Sequence, residues 1–165
     1  IVYYFSAYAD LLSAGTIKAG EEINFTVPTG NFGDILAGFY AKCMGLPVHQ
    51  LICASNTNNV LTDFLRTGVY DRQREFFKTI SPSMDILISS NLERLLYHMT
   101  GDTAKVAGWM QELQQNGRYD VGEDLLAKIQ QTFWADWTSD EDTETCIGTH
   151  YETTNNVAEP HTSVV

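Results

Sequence analysis

The chain has few positive charges. Its 165 residues carry 10 Lys and Arg against 21 Asp and Glu, a formal charge of −11. Nucleic-acid binding needs a cationic footprint that displaces counterions from phosphates, so this balance excludes it. The same balance disfavours anionic membrane surfaces. Long apolar runs are missing as well, so no membrane-spanning segment is expected, and no secretory signal is visible. Cysteine is sparse: Cys43, Cys53 and Cys146 form no close pair, which suits a reducing cytosol better than a disulfide framework. The chain opens at Ile1 without a methionine, inside an apolar helical pattern, and closes at Ser163-Val164-Val165 in an apolar stretch. Both ends are expected to be cuts in something longer, because natural termini are usually polar and frayed. An acidic balance does not exclude a small anionic ligand, since a helix terminus can hold a phosphate inside an acidic protein.

Apolar residues make up 44% of the chain and aromatics 12%, enough for a globular core, and the length fits one α/β domain over residues 1–165. Ile1, Tyr4, Phe5, Tyr8, Leu11 and Leu12 recur at helical spacing. Glu22 to Val27 alternates like a strand and Pro28-Thr29-Gly30 stops it. Asp34 to Met44 reads as a helix ended by Gly45 and Pro47. Val48 to Ala54 reads as a buried strand. The polar turn Ser55-Asn56-Thr57-Asn58-Asn59 is expected to cap a helix from Val60 to Thr67, closed by Gly68. This strand–helix–strand–helix order predicts a partly parallel sheet with flanking helices. Asp71 to Lys78 reads as a charged loop. The apolar stripe Met84, Leu87, Ile88, Leu92, Leu95, Leu96 and Met99 predicts helix, broken at Ser89-Ser90-Asn91, within a helical segment of about 84–131. Thr103 to Gln115 and Glu123 to Gln131 are amphipathic helices joined at Asn116-Gly117, and Phe133 to Trp137 a short strand. Thr138 to Asp142 carries two overlapping capping-box patterns for a helix reaching about Thr153, and Val157-Ala158 is expected to be a last strand.

The stretch that carries chemistry is Thr26-Val27-Pro28-Thr29-Gly30-Asn31-Phe32-Gly33-Asp34. Two glycines between a strand and a helix allow a sharp turn and let an anion approach the backbone without a Cβ in the way. The following helix points its unpaired N–H groups and positive dipole end at the same place. A phosphate ester fits there, with Asn31 as an extra donor. On spacing alone an ordinary strand–glycine–helix turn, with Asp34 as a helix-start residue, is the commoner explanation. No Lys-Ser/Thr pair follows as in a Walker loop, and the dinucleotide pattern is incomplete.

Val27-Pro28-Thr29-Gly30-Asn31-Phe32-Gly33-Asp34-Ile35-Leu36-Ala37-Gly38 resembles the phosphate-cup segment of threonine synthases of the bacterial and fungal type. Four more blocks are similar in the same order: Leu51 to Leu61, Lys78 to Ile86, Ser89 to Leu95, and Glu159 to Val164, the last departing from the family pattern at Glu159 and Ser163. The resemblance implies a fold-type II enzyme, a lyase of threonine biosynthesis that uses pyridoxal 5'-phosphate (PLP) to convert O-phosphohomoserine to threonine and phosphate. Carried over by position, Gly30, Asn31, Phe32, Gly33 and Asp34 surround the PLP phosphate, and His161 and Thr162 come near the cofactor ring. The Schiff-base lysine of the family lies in an N-terminal segment absent here. Lys18, Lys42, Lys78, Lys105 and Lys128 stand in other contexts, and Lys78 matches the Lys-Thr-x-Ser-Pro block rather than the cofactor lysine. The resemblance therefore implies a piece of the large domain that is inactive alone and prone to self-association through uncovered apolar surface. The competing reading is a non-catalytic α/β domain that binds a phosphorylated small molecule.

Other candidates are weaker. Cys146 and His150 sit one helical turn apart but lack further ligands, so a packed helix face is expected rather than a metal site. Asp140 to Glu144 lacks calcium-loop spacing and suits a helix start. Trp109, Phe133, Trp134 and Trp137 are expected to pack, and neither Ser81 nor Ser83 has a His-Asp arrangement beside it.

Overall fold

A computed structural model describes residues 1–165. Three strands, β1 (Ile23–Pro28), β2 (Val48–Ser55) and β5 (Phe133–Trp137), form a wholly parallel sheet in the order β1-β2-β5. Pro28 pairs with Ala54, and Ser55 with Trp137, so all three carboxyl ends finish side by side at one edge. Helix α1 (Val2–Ser13) precedes β1; α2 (Gly33–Cys43) links β1 to β2, and α3 (Val60–Thr67) follows β2. Beyond the short strand β3 (Val69–Asp71) come α4 (Leu92–Thr100), α5 (Thr103–Asn116), the short strand β4 (Arg118–Asp120) and α6 (Glu123–Gln130). After β5, α7 (Asp140–Thr154) and α8 (Pro160–Ser163) complete the chain.

Local chemistry sets most of these boundaries. Glycines in the left-handed conformation end α3, α4 and α5 at Gly68, Gly101 and Gly117, where a side chain would be strained. Asp102 accepts hydrogen bonds from two amides at the start of α5. Ser139 and Asp142 cap α7 through a 3.1 Å amide bond and a 2.6 Å hydroxyl–carboxylate bond. The core gathers Leu51, Cys53, Ile35 and Leu36 between β2 and α2, then Val60, Leu61, Phe64 and Ile129, all essentially inaccessible to solvent. A second focus is aromatic: Tyr70 and Tyr119, cross-strand partners on β3 and β4, stack with ring planes 2° apart beside Phe64.

Several expectations fail for identifiable reasons. The stripe from Met84 is helical only from Leu92; Pro82–Met84 forms a single 3₁₀ turn, and residues 85–91 run irregularly because they serve as hydrogen-bond partners for other loops. Asn59 does not cap α3; its side-chain oxygen accepts from Arg74 at 2.9 Å instead. Val157-Ala158 pairs with nothing, and a short helix capped by Glu159 follows. The antiparallel pair β3–β4 was not foreseen, because three-residue strands are too short to show a period. Trp134 and Trp137 lie exposed on an edge strand, and Cys146 and His150 lie exposed on α7, where only Thr143 is buried.

Leu51, fully buried at the centre of the sheet, tests this arrangement. Leu51→Ala is expected to lower unfolding free energy in urea by about 2–5 kcal/mol. Val157→Ala, at a residue 75% exposed, is expected to stay within about 0.5 kcal/mol.

Candidate functional site

In parallel α/β sheets ligands settle in the crevice beyond the carboxyl ends of the strands. Here three segments meet there: residues 29–33 after β1, 56–59 after β2, and 138–139 after β5. Gly30, Asn31 and Phe32 form the bend, and Gly33 and Asp34 begin α2. None of the N–H groups of Gly30, Asn31, Phe32, Gly33, Asp34 and Ile35 donates a hydrogen bond within the protein. A helix start leaves some donors free, but six in succession is a longer row than the helix end alone produces. The extra donors come from the bend.

Phe32 explains the geometry. It adopts φ 63° and ψ 2°, a left-handed conformation rare for a bulky residue and typical of backbone held in a functional shape. Its ring is 1% exposed and lies 5.7 Å from that of Phe133 on β5. Burial of the ring holds the strained backbone, and a left-handed residue followed by helix turns successive N–H groups into a concavity for anions. Phe32 thus contributes main chain, not its side chain. Asn31 is exposed; its side-chain oxygen accepts from Ser90, which leaves the amide nitrogen as a free donor. Asp34 turns its carboxylate aside, where Oδ1 accepts from the Tyr4 hydroxyl at 3.1 Å. Burial, with the nearby Asp34 charge and hydrogen bond, pushes the Tyr4 hydroxyl well above its usual range, so it stays a donor. That bond keeps the carboxylate engaged by α1.

The two glycines do different jobs. A Cβ on Gly30 would lie 2.7 Å from the Ser83 carbonyl oxygen, so this glycine admits the 3₁₀ turn rather than a ligand. A Cβ on Gly33 would meet only Asn91 Nδ2 at 3.5 Å, an ordinary contact. Beneath the bend, the face of β2 that carries Leu51 against α2 also carries Cys53 and Ser55. Ser55 Oγ is buried without a hydrogen-bond partner. Burial raises the Cys53 thiol to about 12, with weaker opposing influence from Thr29 and Ser55, so it remains protonated and unreactive.

Sequence reasoning missed the polar knot beside the cradle. Asp85 Oδ1 accepts from Asn56 and Asn58 side chains at 2.8 and 2.9 Å and from the Thr79 hydroxyl at 2.8 Å, while Oδ2 accepts from the Thr79 amide at 3.0 Å. Asn56 and Asn58 are almost fully buried. Their bonds clamp residues 77–85 onto the end of β2. The concentration of Asn, Ser, Thr and Asp in 55–59 and 79–85 was the available signal, and residues 55–59 read only as a capping turn. His161 arrives from α8: its Nε2 accepts from the Ser83 amide at 3.1 Å, and its Nδ1 contacts Glu159. It therefore stands behind Gly30, across the Ser83–Met84 turn. Thr162 is exposed, and its amide is used by Glu159 in capping α8. The hydrogen bond with His161 holds the Glu159 carboxyl below its ordinary 4.5, against slight desolvation and with help from the Thr162 amide. A cavity of about 720 Å³ lies elsewhere, among Met99, Lys105, Trp109, Gly122 and Lys128. The cradle itself is an open shelf, with Asn31, Gly33 and Asp34 exposed.

Fold and site together define an α/β protein whose strand–helix junction after β1 leaves a row of backbone amides without partners. No family model matches the chain. Among curated proteins, it is 46% identical to human (Homo sapiens) threonine synthase-like 1 over 99% of this chain and 22% of that protein. It is 40% identical to threonine synthase of Saccharomyces cerevisiae over 99% of this chain and 34% of that enzyme. The solved structure of PLP-bound threonine synthase from Brucella melitensis superposes with a TM-score of 0.90 at 44% identity, covering 99% of this chain and 34% of that one. The chain is thus similar to threonine synthases along nearly its whole length, and it spans about a third of the length of those it matches.

Two checks follow. Gly30→Ala is expected to destabilise the chain by about 1–3 kcal/mol through overpacking against Ser83, and Gly33→Ala to be nearly neutral in thermal unfolding; equal effects would contradict the assignment of roles. Because the Glu159 value is lowered in the folded state, the stability from its contacts is present above pH 4.5 and lost as pH falls below it. Protection of the Thr162 amide, its exchange rate relative to that of an unstructured amide at the same pH, should fall selectively on acidification through that window.

Proposed function

We propose that this chain forms the cofactor-phosphate part of a cytoplasmic threonine synthase. The parent enzyme takes O-phosphohomoserine and water to threonine and phosphate, the last step of threonine biosynthesis. The observation that carries this reading is the row of unpaired amides from Gly30 to Ile35 at the end of β1. Relatives named threonine synthase match it across the whole chain.

The residues present fit the phosphate of PLP. A dianionic ester needs several donors and no nearby carboxylate; the cradle offers the amides of Gly30, Asn31, Phe32, Gly33 and Asp34, the free Asn31 amide nitrogen and the positive end of α2, while the Asp34 carboxylate is engaged by Tyr4. Ser55 Oγ, a buried hydroxyl without a partner at the tip of β2, adds an unused group on the α2 side. His161 and Thr162 complete the proposed site: His161, held by Ser83 and Glu159, supports the rear of the cradle, and Thr162 lies exposed beside it. PLP, when bound, supplies an electron sink for bond changes at the substrate's α, β and γ carbons. This chain's part is to anchor and orient that group, since phosphate held by fixed amides fixes the ring as well.

No catalytic residue is assigned here. Lys42 closes α2 at the end remote from the cradle, donating to the carbonyls of Val48 and His49. Lys105 and Lys128 line the separate cavity beside Trp109, and Lys18 and Lys78 are exposed. Self-association of the chain is part of the proposal, supported by exposed Val2, Tyr3, Trp134 and Val157.

The test combines binding with labelling. PLP added to the chain should bind reversibly, be displaced by inorganic phosphate, and bind tighter than unphosphorylated pyridoxal by at least about tenfold, as a loss of charge-assisted bonds requires. Borohydride reduction followed by mass spectrometry should find no single labelled lysine, and O-phosphohomoserine should release no phosphate. One specifically modified lysine, or equal affinity for PLP and pyridoxal, would overturn the reading.

A further inference from the structure

The amides of the cradle are aimed from behind. In a trans peptide the N–H points opposite to the C=O of the preceding residue, and no peptide here is cis. Whatever holds the carbonyls of Gly30 and Asn31 therefore fixes the directions of the Asn31 and Phe32 amides.

Both carbonyls are held by one short segment. The Ser89 hydroxyl donates to the Gly30 carbonyl at 2.9 Å. The Asn31 carbonyl accepts twice from Asn91, from the side-chain nitrogen at 2.8 Å and the backbone amide at 3.2 Å. Ser89 is itself fixed: its amide donates to the Tyr70 hydroxyl at 2.8 Å, and that hydroxyl donates to the Leu87 carbonyl at 3.1 Å. Tyr70 is 1% exposed and stacked on Tyr119, so its oxygen is as rigid as the core. A continuous series of hydrogen bonds thus runs from the β3–β4 aromatic pair through Ser89 to the bend.

We propose that Ser89 and Asn91 are positioning residues for the anion cradle, setting the orientation of the Asn31 and Phe32 N–H groups. This inference rests on the cradle being the phosphate site. Each side chain acts on the carbonyl edge of a peptide plane whose N–H lies on the opposite edge. Without the Ser89 hydroxyl the Gly30–Asn31 peptide is free to rotate, and the Asn31 amide no longer converges with its neighbours. Two further properties make the assignment specific. The left-handed Phe32 tolerates little adjustment, so the preceding planes must be supplied already oriented. Ser90, between the two, bonds only side chains, donating to Asn31 Oδ1 and accepting from Asn91 Nδ2, both at 3.4 Å, and holds no carbonyl.

The experiment uses the 165-residue chain and inorganic phosphate as the probe, followed by amide shifts of Asn31, Phe32 and Gly33 and by titration. Wild-type protein should bind with shifts at these amides. Ser89→Ala should weaken phosphate about 3- to 10-fold, the factor expected for one lost hydrogen bond, and shrink the Asn31 shift most. Ser89→Thr, which keeps the hydroxyl, should restore both; Gln115→Ala, exposed on α5, should change neither. Because Ser89 is buried, Asn91→Ala serves as a second variant, with a reduced Phe32 shift expected and the backbone bond retained. Wild-type affinity and wild-type shifts in folded Ser89→Ala and Asn91→Ala would overturn the positioning role while leaving the cradle standing. No phosphate binding by the wild type would overturn the cradle itself, and the positioning role with it.

Discussion

The helices, ladders and caps of this chain supply acceptors for backbone donors from within the protein. Gly30 to Ile35 find none there. The local structure is organised around keeping those groups free and fixed. Phe32 holds a strained conformation by burying its ring on Phe133, and Gly30 admits the Ser83 carbonyl at a distance no side chain would permit. A simple strand-to-helix turn would need neither. The net charge of −11 does not set the local field here, which comes from oriented amides and a helix end rather than from side-chain cations.

The polar knot around Asp85 belongs to the same design. A carboxylate drawn into partly buried surroundings is tolerated when donors surround it, and Asn56, Asn58 and Thr79 do so. An apolar clamp would have left residues 77–85 free to slide along the sheet end. Directional bonds fix one register, and with it the turn that backs Gly30. The tie from Ser83 to His161 extends the same fixation to the far end of the chain.

The parallel sheet and its helices were legible because their signals are local: alternation in Glu22 to Val27, the Gly45 and Gly68 stops, and the Ser139 cap all act within a few residues. The bend between β1 and α2 was legible by glycine spacing; its reading as a phosphate loop comes mainly from resemblance. What escaped depends on contacts distant in sequence. Nothing near Ser89 says that its hydroxyl meets Gly30, and nothing near Asn56 says that it meets Asp85. Apolar periodicity from Met84 suggested helix, yet Leu87 and Ser89 are held by Tyr70 in a form no helix allows. Gly30 itself was read as room for a ligand, when the space belongs to Ser83.

The pairing of Leu51 with Phe133 has a kinetic side. Parallel strands join only after long loops close, and such contacts form slowly because chain entropy is lost before the ladder compensates. Phe133 is also the surface on which Phe32 rests, so the left-handed turn is without support until β5 docks. During synthesis β1, β2 and α2 leave the ribosome long before that strand. The bend therefore takes its final shape only with β5 in the sheet, a strand that begins more than a hundred residues further along the chain than β1.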